Sequence, residues 1–276
     1  MVIDALVRLT AEKLTDNARF EAEQIVMYAL SINKTELITN AKREVSDDEV
    51  NRVEKIAARR ASGEPLQYIL GECEFMSLMF YAESGVLIPR SDTETLVEEV
   101  IKIAPSGADI LDFCCGNGCV GISLAHYIQD AHITMTDISD KAIELSKRNI
   151  KRNNLSDRIT VKKSDILLER VEGKFEVIVS NPPYIETDVI DTLDSTVKDY
   201  EPHLALNGGK DGLTFYRRIT SLAPEMLKDG GILAFEIGYN QGESVAELME
   251  KNFTDVRIIK DLGGNDRVVL GQIARP

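Results

Sequence analysis

The fold of this chain is decided by the stretch Asp109-Ile110-Leu111-Asp112-Phe113-Cys114-Cys115-Gly116-Asn117-Gly118-Cys119-Val120-Gly121. It begins with a short apolar run typical of a buried strand and ends in the apolar start of a helix. Between them Gly116, Gly118 and Gly121 satisfy G-x-G-x-x-G, a spacing that lets the backbone approach a nucleotide-like ligand closely. The stretch predicts a strand, loop and helix with a ligand site at the carboxyl end of the strand.

Strands and helices alternate from Asp109 onward. Apolar periodicity predicts helices over 120–127, 139–153, 214–227 and 241–252. Short apolar runs predict strands over 110–113, 133–136, 159–161, 175–179 and 232–237, with a closing pair at 256–259 and 267–270. This alternation predicts an α/β fold with a mostly parallel sheet covered on both faces.

The part of the chain before this alternation shows a different pattern of apolar residues. Residues 1–65 show helical spacing only, and Ser46-Asp47-Asp48-Glu49 has the form of a capping box. Residues 66–88 carry short aromatic and aliphatic runs broken by glycine, which indicates a hairpin linker. Ser91-Asp92-Thr93-Glu94 offers a second capping box before another helix. We therefore predict a helical domain over 1–65, a linker over 66–88 and an α/β domain over 89–276.

Composition excludes several classes of protein. The chain has 276 residues, 46 acids against 32 bases, and a formal net charge of -14, which disfavours general binding to nucleic acid. The basic residues of one predicted helix, Arg52, Lys55, Arg59 and Arg60, are interpreted as a solvated face. No apolar stretch approaches the roughly 20 residues of a membrane span, and no secretory leader is recognisable. We expect a cytoplasmic protein that does not contact a membrane.

Cysteine and histidine usage does not indicate a metal site or a disulfide framework. The four cysteines include no CxxC pair, and the three histidines are scattered. We expect reduced, mostly buried thiols and no metal.

The glycine loop alone fits an NAD-dependent dehydrogenase about as well as a methyltransferase. Asp137, at the end of the next predicted strand, is placed to bind ribose hydroxyls in either case. Asp112 separates the two, because a carboxylate just before the loop would repel a pyrophosphate but favour the ammonium and sulfonium of S-adenosylmethionine. Its alternative role is as a charge partner for the helix N-terminus.

A second motif follows the strand predicted over 175–179. Asn181-Pro182-Pro183-Tyr184 contains two prolines, which remove two backbone donors and stiffen the turn. If the Asn181 side-chain oxygen and the Pro182 carbonyl each accept one N–H, they orient a planar amide or amine nitrogen. Tyr184 can stack on that group and offer its π face to a sulfonium. The motif indicates methyl transfer to nitrogen, driven mainly by alignment.

Four segments together resemble one family, the bacterial protein-(glutamine-N5) methyltransferases that act on peptide chain release factors. They are Gly63-Glu64-Pro65-Leu66-Gln67-Tyr68-Ile69-Leu70-Gly71, Leu87-Ile88-Pro89-Arg90-Ser91-Asp92-Thr93-Glu94, Ser180-Asn181-Pro182-Pro183-Tyr184 and Gly263-Gly264-Asn265-Asp266-Arg267. The resemblance covers nearly the whole chain. It implies a seven-stranded class I (Rossmann-like) methyltransferase domain and a small all-helical N-terminal domain, which we expect to dock the substrate.

The resemblance also implies the chemistry and its residues. A methyl group would pass from S-adenosylmethionine, leaving S-adenosylhomocysteine, to the glutamine of the Gly-Gly-Gln motif in class-1 release factors. The implied cofactor residues are Cys114, Cys115, Gly116, Asn117, Gly118, Asp137, Asp165 and Ile166. The implied substrate residues are Asn181, Pro182, Pro183 and Tyr184, with Asn181, Pro182 and Tyr184 catalytic.

The chain departs from the family pattern at two places. Cys114 and Cys115 stand where the family's loop has a glycine and a threonine, so the backbone there must tolerate a Cβ. Ile166 replaces a residue that is often aromatic, so adenine packing there would be aliphatic.

Three alternatives stay open. A glutamine methyltransferase acting on ribosomal protein L3 shares the tetrapeptide, although Asp92-Thr93-Glu94 favours the release factor type. An N6-adenine methyltransferase of DNA or RNA holds its base with the same tetrapeptide, but the acidic charge disfavours it. A non-catalytic cofactor-binding protein would not need Asn181 and Tyr184.

Overall fold

A computed structural model describes residues 1–15 and 17–273. The chain divides into two compact units, Met1–Glu72 and Cys73–Pro276. Within the described residues no helix is long and apolar enough to cross a membrane.

The first unit is helical, as predicted. Its elements are α1 (Ile3–Ala11), α2 (Ala18–Leu30), α3 (Lys34–Thr39), α4 (Asp47–Ala61) and α5 (Leu66–Leu70). Their apolar faces form one core that includes Ile3, Leu6, Ile25, Val26 and Val53. The capping box at α4 is confirmed, because Ser46 accepts from the Glu49 N–H and Glu49 Oε2 accepts from the Ser46 N–H at 2.8 Å.

Two of the four basic residues on α4 form ion pairs within this unit. Arg60 pairs with Glu21 at 2.7 Å, and Arg59 pairs with Glu64. These pairs agree with the interpretation of this helix side as a solvated face.

The linker prediction requires a correction at its start. Residues Leu66–Leu70 form α5 instead of extended chain, with Pro65 at its N-cap and Gly71 ending it at φ +77°. Pro65 supplies a fixed φ and Gly71 a left-handed one, so the two residues bound a single helical turn. The hairpin itself is present as β1 (Glu72–Phe75) and β2 (Leu78–Tyr81).

The second unit contains the predicted seven-stranded sheet. Its strands are β3 (Asp109–Phe113), β4 (His132–Asp137), β5 (Ile159–Lys163), β6 (Phe175–Ser180), β7 (Leu227–Glu236), β8 (Phe253–Lys260) and β9 (Asp266–Ile273). Its helices are α6 (Glu94–Ile103), α7 (Cys119–Tyr127), α8 (Asp140–Arg152), α9 (Ser195–Lys198), α10 (His203–Leu206), α11 (Thr214–Met226) and α12 (Gly242–Met249). The strand order is β5-β4-β3-β6-β7-β9-β8, with β9 antiparallel to both of its neighbours. The predicted fold class is confirmed.

The strand order places the two sequence motifs side by side. The chain passes from β3 to β4 on one side and later returns to β6 on the other, which makes the β3–β6 boundary a topological switch point. Phe113 is in register with Ser180, so the glycine loop and the Asn181 turn leave the sheet next to each other.

Two apolar cores cover the two faces of this sheet. One packs α6 and α7 against the sheet around Leu96, Ile110 and Ile122. The other packs α11 and α12 around Tyr216 and Phe235. Both faces of β3 and β6 are therefore buried, which explains their continuous apolar sequences.

The predicted capping box at Ser91-Asp92-Thr93-Glu94 is wrong. Residues Ser91–Thr93 form a 3-10 turn before α6, and neither Arg90 nor Thr93 makes a side-chain cap. Glu94 Oε1 instead accepts from the Met76 N–H at 2.7 Å, and Asp92 pairs with Arg267 at 3.0 Å. Tertiary partners have replaced the local ones.

Candidate active site

An open cavity with a volume of about 210 Å³ lies along the carboxyl ends of β3, β4, β5 and β6. The predicted site residues that line it are Cys114, Cys115, Gly116, Asn117, Asp137, Asp165, Ile166, Asn181 and Pro183. Gly118, Pro182 and Tyr184 are not among its lining residues. The structure therefore brings most of the predicted residues into one site.

The loop after β3 is shaped by left-handed backbone. Cys114, Gly116 and Gly118 have φ values of +57°, +56° and +87°. A Cβ on Gly118 would lie 2.7 Å from Met135 Cε, whereas one on Gly116 would meet nothing within 4 Å. The left-handed φ and the close packing at Gly118 both favour glycine there, and Gly116 leaves open space beside the cavity.

Cys114 adopts a conformation that favours glycine, which is the residue the family pattern has there. A left-handed residue with a Cβ costs about 1–2 kcal/mol. Its side chain packs against the core around Tyr216, which offsets part of this cost. Burial raises the pKa of both Cys114 and Cys115, so the two thiols are neutral.

Asn117 is a buried amide with one unused donor. Its Oδ1 accepts from the Cys119 N–H at 3.0 Å, and the residue is 3% exposed. Its Nδ2 donates to no atom of the described residues. An amide donor of this kind beside a cavity is available to a ligand acceptor.

Asp137, which ends β4, and Asp165, just after β5, accept hydrogen bonds from backbone N–H groups at the cavity. Asp137 accepts from the Gly116 N–H with Oδ2 and from the Ser139 N–H with Oδ1, each at 2.9 Å. Burial raises the pKa of Asp137, while these N–H groups oppose the shift. Asp165 accepts from the Leu167 N–H at 2.9 Å and places the buried Ile166 in the cavity wall.

Asp112 combines both roles considered for it. It is 1% exposed and lines the cavity, while its Oδ2 accepts from the Gly121 N–H in the first turn of α7 at 3.0 Å. Burial raises its pKa to about 8. The residue is thus both a helix partner and a potential negative charge for a cationic ligand.

The Asn181 turn is held from several sides. Asn181 Nδ2 donates to Thr93 Oγ1 at 3.2 Å, and Gln241 Nε2 donates to the Tyr184 carbonyl at 2.9 Å. The Gly208 N–H donates to the Ile185 carbonyl at 2.8 Å. Pro182 and Pro183 are buried, so the turn is rigid.

Sequence reasoning missed the glycines that allow this packing. A Cβ on Gly208 would lie 2.7 Å from Tyr184 Cα, and one on Gly212 would lie 2.3 Å from the Tyr184 carbonyl oxygen. The glycine density of Asn207-Gly208-Gly209-Lys210-Asp211-Gly212 is the signal that could have pointed to a close backbone approach.

A polar cluster behind the turn was also missed. Glu236, at the end of β7, is 1% exposed, and burial raises its pKa to about 7. Arg267 of β9 pairs with Asp92 at 3.0 Å and with Asp261 at 3.1 Å. Two of these positions fall in the family-like segments around Asp92 and Arg267, but an isolated glutamate in an apolar strand carries no local signal.

The comparisons with known proteins agree with this architecture. Residues 90–209 match the family described as Methyltransferase small domain, and residues 3–71 match the PrmC N-terminal domain. A solved methyltransferase from Pyrococcus furiosus is similar over 81% of this chain and 98% of its own, with a TM-score of 0.55 and 20% identity. That likeness concerns the fold. The fold and the two family matches define a methyltransferase with a helical N-terminal domain.

Curated relatives narrow this class. The release factor glutamine methyltransferase of Clostridium acetobutylicum is 41% identical over 97% of this chain and 96% of its own length. That of Clostridium botulinum is 43% identical over 91% of this chain and 90% of its own. The chain belongs to the release factor glutamine methyltransferase family, a family of protein-glutamine methyltransferases.

Proposed function

We propose that this protein transfers a methyl group from S-adenosylmethionine to the side-chain amide nitrogen, N5, of the glutamine in the Gly-Gly-Gln motif of class-1 release factors. One observation carries the proposal: Asn181 and the glycine loop line the same cavity at the switch point of the sheet. The names of the curated relatives support the release factor as substrate.

The cavity suits a cofactor that has both cations and hydroxyls. Asp112 and Asp137 supply carboxyl groups, and the unused Asn117 Nδ2 supplies a donor for a carboxylate. The open space at Gly116 permits close approach to the backbone, and Ile166 offers an apolar surface to an adenine. When bound, S-adenosylmethionine supplies an electrophilic methyl group on its sulfonium.

The Asn181 turn would orient the substrate nitrogen. An amide nitrogen is a weak nucleophile because its lone pair is delocalised, so its two N–H groups need fixed acceptors. The Asn181 Oδ1 and the Pro182 carbonyl are proposed as these acceptors, with Tyr184 beside the planar group. Orientation of this kind contributes mainly by alignment, and the amide proton leaves after transfer.

The helical first unit is proposed to dock the release factor in the cytoplasm. Its exposed apolar side chains support this role, since Phe20 is 61% exposed and Ile38 is 66% exposed. Phe20→Ala is expected to raise the KM for release factor while leaving the affinity for the methyl donor unchanged. An unchanged KM would remove Phe20 from the docking surface.

A labelled-methyl assay with separate substrates tests the proposed function. Purified protein is incubated with a class-1 release factor, with ribosomal protein L3 or with DNA, and the label on each is measured. A release factor in which the motif glutamine is replaced by alanine serves as the matched control. Label confined to the glutamine-containing release factor is expected, and label on L3 or on DNA alone would reject the proposal.

A further inference from the structure

The chain between β6 and α11 forms a long connection, residues 186–207, that the proposed function leaves without a role. Its two ends are held together, because the Ile185 N–H donates to the Leu206 carbonyl at 2.9 Å and the Gly208 N–H donates to the Ile185 carbonyl at 2.8 Å. Between these ends little of it is buried, and every residue of α9 is at least partly exposed. A connection of this kind needs a further contact to fix the position of its far part.

A buried carboxylate provides this contact. Arg90 donates to Glu201 Oε1, and the Glu201 side chain is 1% exposed whereas that of Arg90 is 41% exposed. The other oxygen, Oε2, is buried without a hydrogen-bond partner among the described residues. A carboxylate that has lost its water requires a compensating charge, so the position of Glu201 depends on Arg90.

The ion pair joins two segments that line the cavity. Arg90 is the last residue of the run 85–90, and all six residues of that run line the cavity. Glu201 directly precedes Pro202, Leu204 and Ala205, which line it as well. Glu201 is not itself a lining residue, so it acts on the cavity through the residues that follow it in the chain.

Leu204 is an apolar side chain at the opening of this cavity. It lines the cavity and is 55% exposed, whereas Leu206 of the same helix, α10, is 5% exposed. The hydrogen bond from the Ile185 N–H to the Leu206 carbonyl holds α10 next to the Asn181 turn. Leu204 therefore offers apolar surface at the end of the cavity where the turn lies, and a ligand that covers it gains free energy by removing that surface from water.

The shape of a glutamine decides which part of the substrate covers Leu204. Its side chain consists of two methylenes and an amide, so the amide can reach Asn181 while the main chain stays at the opening. The residues on either side of the glutamine are then the part of the release factor that lies against the cavity mouth. Asn181 and Leu204 line the same cavity, so one bound segment can contact both.

We propose that Leu204 is a specificity residue that packs against the release factor chain beside the target glutamine. Glu201 is a positioning residue that keeps Leu204 at the cavity mouth through its ion pair with Arg90. The inference rests on the proposed function, because it takes Asn181 as the residue that binds the glutamine amide. It adds a contact with the substrate at the active site itself, distinct from the docking proposed for the helical first unit.

Leu204→Ala and Val189→Ala provide a matched pair of variants. Both remove an exposed apolar side chain from residues 186–207, but Val189, which is 41% exposed, does not line the cavity. With the full chain and a purified class-1 release factor, Leu204→Ala is expected to raise the KM for release factor about fivefold to tenfold and to leave the dissociation constant of the methyl donor unchanged. Val189→Ala is expected to keep this KM within about twofold of the wild type. An unchanged KM in Leu204→Ala, or weaker binding of the methyl donor in its place, would overturn the proposal.

Glu201→Ala tests the positioning role. It is expected to raise the KM for release factor in the wild-type background but to add less than about twofold in the Leu204→Ala background, because both substitutions remove the same contact. Glu201→Gln, which keeps an oxygen that can accept from Arg90, is expected to lie closer to the wild type. Additive increases in KM for Glu201→Ala and Leu204→Ala contradict the role of Glu201.

The two proposals fail in different ways. Leu204 is a surface residue, so Leu204→Ala tests the contact even where a Glu201 variant does not fold. A wild-type protein that methylates no release factor contradicts the proposed function. A wild-type protein that methylates the release factor with the same KM as Leu204→Ala contradicts the role of Leu204 alone.

Discussion

Replacing Asp112 with asparagine is expected to stabilise the ligand-free protein at neutral and alkaline pH and to weaken its binding of a cationic methyl donor. Asp112 is 1% exposed, and its Oδ2 accepts from the Gly121 N–H at 3.0 Å. Asparagine keeps an oxygen for this bond but cannot ionise. The substitution therefore isolates the effect of the charge.

The size of the effect follows from the pKa of Asp112. Burial raises it from 3.8 to about 8, so the folded state retains a proton that the unfolded state has released. The stability that this proton provides is fully present below pH 3.8 and is lost as the pH rises through about 8. At about 1.4 kcal/mol per pKa unit, the loss is about 4 kcal/mol at pH 7 and about 6 kcal/mol above pH 8.

Denaturant unfolding of the ligand-free proteins over a series of pH values measures this effect. The free energy of unfolding of Asp112→Asn minus that of the wild type is expected to grow by several kcal/mol between about pH 4 and about pH 8. Asp140→Asn, at a carboxylate whose side chain is 82% exposed, serves as the control and should show no such trend. Parallel curves for Asp112→Asn and the wild type would refute the reasoning.

Binding of the methyl donor provides the functional counterpart. A cation near Asp112 favours the ionised carboxylate, so binding to the wild type near pH 7 should release a proton. Calorimetry in buffers of different ionisation enthalpy detects this proton, and Asp112→Asn should release correspondingly less. Equal proton release by both proteins would place the cation away from Asp112.

Three further substitutions test the loop and the turn. Asn181→Ala is expected to abolish methyl transfer while the dissociation constant of the methyl donor is retained, and retained turnover would remove Asn181 from the mechanism. Gly208→Ala places a Cβ 2.7 Å from Tyr184 Cα and should lower kcat sharply, whereas Gly263→Ala, whose Cβ meets side-chain atoms of Asp261 and Asn265, is the control and should not. Cys114→Gly should change the free energy of unfolding by less than about 1 kcal/mol, because relief of the left-handed φ offsets the lost packing. Cys114→Val should destabilise the protein clearly, because a β-branched side chain fits a left-handed backbone poorly. Equal thermal unfolding of the two variants would contradict this expectation.

The layout of the fold was predictable because burial imposes a pattern on the sequence. Strands such as β3 and β6 are covered on both faces, so they appear as short apolar runs, and the amphipathic helices between them show a spacing of their own. The prediction of a hairpin linker at Leu66–Leu70 was wrong because this segment carries too little pattern. A five-residue segment is too short for periodicity to distinguish a helical turn from a strand, and the flanking Pro65 and Gly71 fit either.

The site residues also fall into two groups: those recognisable from a contiguous motif and those whose role depends on residues distant in the sequence. The glycine loop and the Asn181 turn were found because each motif is contiguous and its chemistry depends on spacing within a few residues. Gly208 was not found, because its importance comes from close contact with Tyr184, more than 20 residues earlier in the chain. Glu236 was not found, because its burial depends on residues that are distant in the sequence. No pattern in the strand around Glu236 distinguishes it from a surface glutamate.

At Ser91–Thr93, before α6, tertiary contacts replace a local helix cap that the sequence predicts. A local N-cap contributes about 1 kcal/mol, and the sequence there satisfies its requirements. In the folded protein Asp92 faces Arg267, Thr93 accepts from Asn181 and Glu94 accepts from Met76, so all three polar side chains are committed to distant partners. Thr93 is 2% exposed, and a buried hydrogen bond such as the one it accepts depends less on competition with solvent than an exposed cap does. A sequence that fits a capping motif but bonds to distant partners beside a cavity therefore indicates a functional site there. Thr93, which lines the cavity, is the example in this chain.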